Sequence, residues 1–368
     1  MSLRGLPVRR SVLRMNPYVG SPEGRAGKLR LDLNENTRGC SPAVLQALRR
    51  LSAKQVAMYP EYERVTARLA RASAVRPEEF HLTNGGDDAL RLIYDVFVDA
   101  GSTVLFPEPT FPVYRIFAGL YGARVITPRF DAEMKFPVAG LLAGLRRRPR
   151  VLFLANPNNP TGNLLPQSDL RRILRAARGT AVVVDEAYVE FSGWSAASWI
   201  RRYPHLIVAR TYSKASGLAG LRLGCLIARP EVIELFRRVA PVYNVNTAAL
   251  VAAVAAARDK AAVRRYVAEV RRARSEFAAA LTRLGYRWFP SVANLLLVDF
   301  GARGPEILRR LAREGILLRD RSREFGRPGM ARVSIGTRAQ MRRLAAALKR
   351  LSRWRRPANS HFPHGRRR

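Results

Sequence analysis

Cysteine is almost missing from this chain of 368 residues: Cys40 and Cys225 are the only two. They lie too far apart in sequence to form a zinc or redox motif, and such sparse usage fits a reducing, cytoplasmic setting. Histidine is scarce as well. His81, His205, His361 and His364 form no spaced metal set and no nucleophile–base pair, so no metal is expected. No apolar run is long enough to span a bilayer, and the arginine-bearing N-terminus lacks the apolar stretch of a secretory signal, so no membrane partner is expected. Acidic residues number 28 against 65 basic ones, a net charge of +37. Lysine is the last shortage: only Lys28, Lys54, Lys135, Lys214, Lys260 and Lys349 occur, leaving 59 arginines.

So much positive charge attracts polyanions nonspecifically. The arginines are spread over expected helical surfaces such as Arg264, Arg265, Arg271, Arg272 and Arg274, with no nucleic-acid motif or aromatic-interleaved patch. The charge therefore reads as solvated surface, with no specific nucleic-acid partner. Residues 353–368, rich in arginine, read as a basic disordered tail.

Among the few lysines Lys214 stands apart. It sits in Thr211-Tyr212-Ser213-Lys214, eight residues before Arg222-Leu223-Gly224, between aliphatic runs at 206–209 and 221–228. One amine, one hydroxyl and one guanidinium held together suggest an anionic ligand whose reactive end meets the lysine. From 103 to 228 the chain alternates strands (103–106, 124–126, 151–155, 181–185, 206–209, 221–228) with helices (110–121, 166–178). Near-continuous apolar strands imply a sheet buried on both faces by helices, with the ligand beyond the strands' carboxyl ends. Asn156 to Asn159, Asp185 to Tyr188, and Lys214 all fall at such ends. A strand at 80–82 leads into Thr83-Asn84-Gly85-Gly86-Asp87-Asp88, which opens a helix. Glycines there leave backbone N–H groups free and accessible, as phosphate requires.

The remainder predicts a second, smaller α/β unit: helices at 246–259, 261–284, 305–313 and 337–352, with strands at 294–300, 316–319 and 332–335. Residues 1–30 read as an extended arm that becomes ordered near Asn16-Pro17-Tyr18, and helices are expected at 42–51 and 61–73. The domain reading is an N-terminal arm and part of the small domain at 1–50, a large domain at 51–250, a small domain at 251–352, and the tail. The fold class is α/β.

Lysine acts covalently through Schiff bases with carbonyl compounds. A carboxylate at a neighbouring strand end, Asp185, could hold a pyridine nitrogen protonated, and the phenol of Tyr188 could hydrogen-bond a ring oxygen. That set is what pyridoxal phosphate asks of its protein. The motifs Asn158-Asn159-Pro160-Thr161-Gly162, Val184-Asp185-Glu186-Ala187-Tyr188, and Ser213-Lys214 through Gly224 resemble the fold-type I aminotransferases of classes I and II. The resemblance is nearest to the histidinol-phosphate aminotransferases and covers residues 16–350.

The resemblance implies a large pyridoxal-phosphate domain with a mostly parallel sheet, a smaller C-terminal domain joined by the arm, and a homodimer. Lys214 would carry the cofactor as a Schiff base and move the substrate proton; Asp185 would pair with the ring nitrogen; Tyr188 and Asn159 would contact the ring oxygen; Phe111 would stack on the ring. Gly86, Asp87, Ser213 and Arg222 would hold the phosphate, with Thr211 as a further hydroxyl and Tyr59 reaching in from the other subunit. Arg332 and Arg319 would grip the substrate's anionic group, with Tyr18 and Asn34 on the same side. Relatives usually read Asn-Glu-Asn-Pro where this chain has Asn36 followed by Thr37-Arg38-Gly39-Cys40, which places a bulky Arg38 at the expected substrate entrance. The implied reaction transfers an amino group from histidinol phosphate to 2-oxoglutarate, a step of histidine biosynthesis. The same scaffold also serves aromatic-amino-acid transamination and amino-acid-phosphate decarboxylation. From other classes, a non-catalytic cofactor-binding regulator and a polyanion-binding protein stay open.

Overall fold

The computed structural model describes residues 6–17 and 24–353; Tyr18 and residues 354–368 of the expected tail lie outside the described residues. Among the described residues twelve strands form two sheets: β1 Leu29–Leu31, β2 Phe80–Thr83, β3 Thr103–Leu105, β4 Arg124–Ile126, β5 Val151–Ala155, β6 Ala181–Asp185, β7 Leu206–Thr211, β8 Gly224–Ile227, β9 Arg287–Phe289, β10 Leu295–Asp299, β11 Ile316–Asp320 and β12 Met330–Ser334. The larger sheet has the order β2-β8-β7-β6-β5-β3-β4. It is parallel except for β8, which runs antiparallel to both neighbours.

The apolar runs behave as a doubly covered sheet requires. All five residues of β5 are buried. Leu152 and Leu154 pack with the Val138–Leu145, Gln167–Ala176 and Thr247–Arg258 helices, whereas Val151 and Phe153 face the Gly85–Phe97, Val113–Leu120 and Pro230–Val239 helices. The alternation follows from the two-residue period of a strand. Each fully buried Val, Leu or Phe contributes about 1.5–3 kcal/mol, which fixes the register: Ala155, Asp185 and Ala209 lie side by side across β5, β6 and β7. Three strand ends therefore open at one level.

The smaller sheet has the order β1-β11-β12-β10-β9. β1 pairs with β11 in parallel register, Leu29 opposite Ile316, so the N-terminal arm supplies an edge strand from 287 residues upstream. Tyr188, Phe191 and Ala215, all from the large-sheet side, are buried in the core of this second unit with Val270, Phe277 and Val333. The mouth of the large sheet is thereby packed against the small one.

Several elements differ from expectation. The last strand of the motif region begins at Gly224 and not at 221, because Ala219–Leu221 forms a 3-10 turn and Arg222 takes a left-handed backbone with φ +53°. The arm is not extended throughout: Arg10–Leu13 is helical and Arg9 Nη2 donates to Leu120 O at 2.9 Å. The helices Val138–Leu145 and Pro230–Val239 and the three-residue strands β1 and β9 were not expected. The Thr247–Arg258 helix straddles the expected boundary at 250/251, with Leu250 and Ala253 buried in the large-sheet core. Among the described residues no helix is long and apolar enough to cross a membrane.

Candidate active site

A cavity of about 400 Å³ opens where β5, β6 and β7 end, between the two sheets. That size and its mainly apolar walls with a few convergent polar groups suit a small molecule. Its chemistry divides into three stations.

The first is an anion cradle. The Gly85–Phe97 helix opens on Gly85, Gly86 and Asp87, whose N–H groups lack partners within the helix and point out of its positive end. Arg222 lies over this turn. A Cβ on Gly85 would sit 2.7 Å from Arg222 Nη2, and the backbone there has φ +82°, so only glycine serves. Arg222 Nη2 donates to Asp87 Oδ2 at 3.0 Å, so toward a bound anion Asp87 offers its N–H and not its carboxylate. Thr211 Oγ1 donates to Ser213 Oγ at 2.9 Å, completing the rim. A backbone turn, two hydroxyls and a guanidinium fit a phosphate monoester.

The second station surrounds Lys214. Its Nζ donates to Leu33 O at 3.0 Å, and burial, reinforced by the nearby Arg332, lowers its pKa to about 8. Asp185 closes β6. Burial pushes its carboxyl up to about 6, against hydrogen bonds from the Tyr114 hydroxyl to Oδ2 at 2.8 Å and from Ala187 N to Oδ1 at 3.0 Å. Tyr114 is itself locked: its ring stacks on Phe153 at 5.0 Å, and Phe153 stacks on Tyr94 at 5.1 Å. Phe111 forms a cavity wall, edge-on to Tyr114. Tyr188 is buried, and its hydroxyl accepts from Asn34 Nδ2 at 2.8 Å, which leaves the hydroxyl hydrogen for an acceptor in the cavity. Asn34 is fixed in turn by Ser334, whose hydroxyl donates to Asn34 Oδ1 at 2.9 Å, and by Asn294 Nδ2 donating to its carbonyl at 3.0 Å.

The third station is a set of guanidinium groups. Arg332 is buried; Nη1 donates to Asn159 Oδ1 at 2.7 Å and Nη2 to Asp32 O, while Nε has no hydrogen bond among the described residues. Burial, with Arg321 and Arg319 close by, pushes its pKa down to about 10. Arg319 stands directly opposite Arg332 across β11 and β12. Arg25 holds Asp32 at 2.7 Å and Glu35 at 3.0 Å, neutralising the arm's carboxylates beside them.

The family described as aminotransferase class I and II matches residues 26–348. The chain belongs to the class I and II aminotransferases. It is 39% identical over 356 residues to the histidinol-phosphate aminotransferase of Symbiobacterium thermophilum, covering 93% of this chain and 98% of that protein. It is 37% identical to the enzyme of the same name from an Anaeromyxobacter species, covering 92% and 97%. The solved structure of histidinol-phosphate aminotransferase from Sinorhizobium meliloti in complex with pyridoxal-5'-phosphate superposes with a TM-score of 0.86 at 27% identity, covering 96% of this chain and all of that one.

Within this aminotransferase fold Gly86, Asp87, Phe111, Asn159, Asp185, Tyr188, Thr211, Ser213, Lys214, Arg222, Asn34, Arg319 and Arg332 all line the one cavity. Tyr59 does not: it is 77% exposed and stacked on Tyr243 at 4.2 Å, away from its own chain's cavity. Arg38 is exposed, and Leu33, Asn34 and Glu35 line the mouth in its place. Arg38 does not line the cavity, so the departure from the usual Asn-Glu-Asn-Pro does not narrow it. Two further lining or supporting residues, Tyr114 and Arg321, stand outside the sequence motifs. Tyr114 gave no signal, because an aromatic three residues beyond Phe111 reads as helix packing. Arg321 had one: in Leu318-Arg319-Asp320-Arg321 the strand period of two puts both arginines on one face.

Proposed function

We propose that this aminotransferase binds pyridoxal phosphate and moves an amino group from histidinol phosphate to 2-oxoglutarate. The observation that carries the cofactor reading is the joint placement of an amine of lowered pKa, a buried carboxylate and a phosphate-shaped cradle along one cavity wall. Bound there, the cofactor supplies an aldehyde that condenses with amines and a ring that takes up the electron pair left when a carbon loses its proton.

The chain's own residues do the rest. Lys214, with its pKa lowered to about 8, provides a neutral amine in a useful fraction near neutral pH. With the cofactor bound, that amine would be the base that takes the substrate Cα proton and holds it for return. Asp185, held in place by Tyr114 and the Ala187 N–H, would keep a pyridine nitrogen protonated. Tyr188, the Asn159 amide and Phe111 line the cavity and would hold the cofactor ring through its oxygen and one face. Arg332 and Arg319 bind the anionic end of the substrate; a guanidinium fork accepts carboxylate or phosphate, so one clamp serves both half-reactions. The likeness to named histidinol-phosphate aminotransferases at 39% and 37% identity supports the choice of donor.

A second copy of the chain completes the cradle in this reading. Tyr59 projects from a patch of exposed Val56, Met58, Val242 and Tyr243, an unusual concentration of large apolar side chains. A homodimer would cover that patch and bring Tyr59 to the partner's phosphate.

The test is a half-reaction screen, in which holoenzyme is mixed with single amino donors and conversion to the aminated cofactor is followed by absorbance. Histidinol phosphate should convert the enzyme fastest among phosphorylated and aromatic donors. Reaction with aromatic amino acids but not with histidinol phosphate would overturn the substrate choice and leave the aminotransferase class intact.

A further inference from the structure

The substrate end of the cavity holds one more guanidinium than a two-arginine clamp. β11 ends at Asp320, yet pairing continues one residue further: Arg321 N donates to Met330 O at 2.8 Å. The two-residue period then sends Arg319 and Arg321 to the cavity face and Asp320 to solvent. Arg332 comes to the same face from the antiparallel neighbour, directly opposite Arg319. Side chains so paired have Cβ atoms roughly 4.5–5.5 Å apart, and like charges there repel. Arg321 is only 5% exposed, and Nη1 is held at 2.7 Å by Glu324 Oε1 from the following turn. Glu324 faces all three guanidinium groups, while Asp32 and Glu35 are ion-paired with Arg25.

Among the described residues these three guanidinium groups face Glu324, and Glu108 beyond it is ion-paired with Arg115, so the largely buried site is net positive. Guanidinium groups stay charged at neutral pH, so the repulsion is relieved by a ligand and not by losing protons. A carboxylate brings one negative charge on two oxygens. A phosphate monoester brings about 1.5–2 negative charges at pH 7 on three terminal oxygens, which suits a net-positive site and matches the number of forks. We infer that Arg321, with Glu324 as its positioning partner, is a specificity residue that makes the substrate end favour a dianionic phosphate monoester over a carboxylate. The inference rests on the proposed function, since it concerns which amino donor that site accepts.

The experiment compares wild-type holoenzyme with Arg321→Gln in single-turnover half-reactions. The donors are histidinol phosphate and glutamate, with inorganic phosphate as a competing ligand. The expected result is that Arg321→Gln raises the half-saturating histidinol phosphate roughly 10- to 100-fold, the range for loss of a hydrogen bond to a charged group. Glutamate should change by less than about 3-fold, as expected for a contact it does not use. The inhibition constant of inorganic phosphate should rise with that of the phosphate donor. In the wild type the preference for the phosphate donor should strengthen from pH 5.5 to 7.5 as the second phosphate proton leaves, and Arg321→Gln should flatten that profile. Arg321→Lys, which retains the charge without the fork, should keep the pH profile and show a smaller loss, and it replaces the Gln variant if that one does not fold. Equal losses for both donors, or an unchanged phosphate inhibition constant, would overturn the inference. Failure of the wild type to react with histidinol phosphate would instead overturn the proposed donor. Phosphate inhibition measured against glutamate would then still decide the role of Arg321.

Discussion

The two anion-binding ends of the cavity are built on opposite plans. The cradle at Gly85, Gly86, Asp87, Ser213 and Arg222 is mostly backbone, and its one ion pair, Arg222–Asp87, is about half exposed, at 44% and 54% for the two side chains. The clamp at Arg319, Arg321 and Arg332 is made of side chains, and Arg332 and Arg321 are 6% and 5% exposed. A helix N-terminus binds phosphate whether or not any one side chain is present. A buried guanidinium set binds strongly but leaves charge and acceptors stranded when one member is lost. The cradle should therefore tolerate change and respond to salt, and the clamp should do neither.

The largest effect belongs to the residue between the two ends. Lys214→Ala should lower turnover by on the order of 10⁴-fold or more, since the amine serves both attachment and proton transfer; single-turnover absorbance would show it. Next comes the clamp. Arg332→Gln strands Asn159 Oδ1 and Asp32 O, and truncating one partner of such a buried pair costs roughly 2–5 kcal/mol. The expected fall in kcat/KM is about 10²- to 10³-fold by the same estimate, with cofactor affinity nearly unchanged in an equilibrium titration.

Tyr114→Phe follows, removing a hydrogen bond to a charged acceptor that is worth roughly 1.5–3 kcal/mol at most. Because the bond stabilises the ionised carboxylate, its loss should move the Asp185 titration upward and weaken cofactor binding most between pH 6 and 7. A pH series of cofactor titrations checks this. In the wild type, recombination of cofactor-free protein with cofactor should be fastest above both shifted groups. Below about 6 the Asp185 carboxyl is neutral and gives up its partner, and below about 8 a growing share of Lys214 is protonated and cannot condense. Stopped-flow rates against pH should therefore rise through 6 and level off above 8.

The smallest effect is expected at the cradle. Arg222→Gln should weaken cofactor binding by about 3- to 10-fold, as exposed ion pairs contribute little. Raising salt should weaken the wild type in the same direction while leaving the Arg332 clamp unaffected. An Arg222 effect as large as that of Arg332 would break the contrast between the two ends.

The contrast also explains what the sequence could reveal. Cofactor-end residues come as short local motifs: Thr211, Ser213, Lys214 and Arg222 fall within one stretch from the end of β7 to the start of β8, and Asp185 and Tyr188 at one strand end. Spacing alone displays them. The clamp is non-local: Arg332 reaches Asp32, and Ser334 reaches Asn34, each across 300 residues, and Tyr114 reaches Asp185 across 71. No local pattern encodes such meetings. Arg321 was visible by alternation but hidden among 59 arginines. The fold shows the same limit. Long, continuously apolar strands such as β5 and β6 were readable, whereas β1, three residues long, exists only because β11 offers it an edge.

One measurement tests the central claim most directly. Protein purified with its cofactor is treated with borohydride, digested, and mapped by mass spectrometry. A pyridoxyl group fixed to Lys214, with loss of the visible absorbance band and no such label in Lys214→Ala, is the predicted result. A colourless wild type after reconstitution with excess pyridoxal phosphate, or a label on any lysine other than Lys214, would contradict the account.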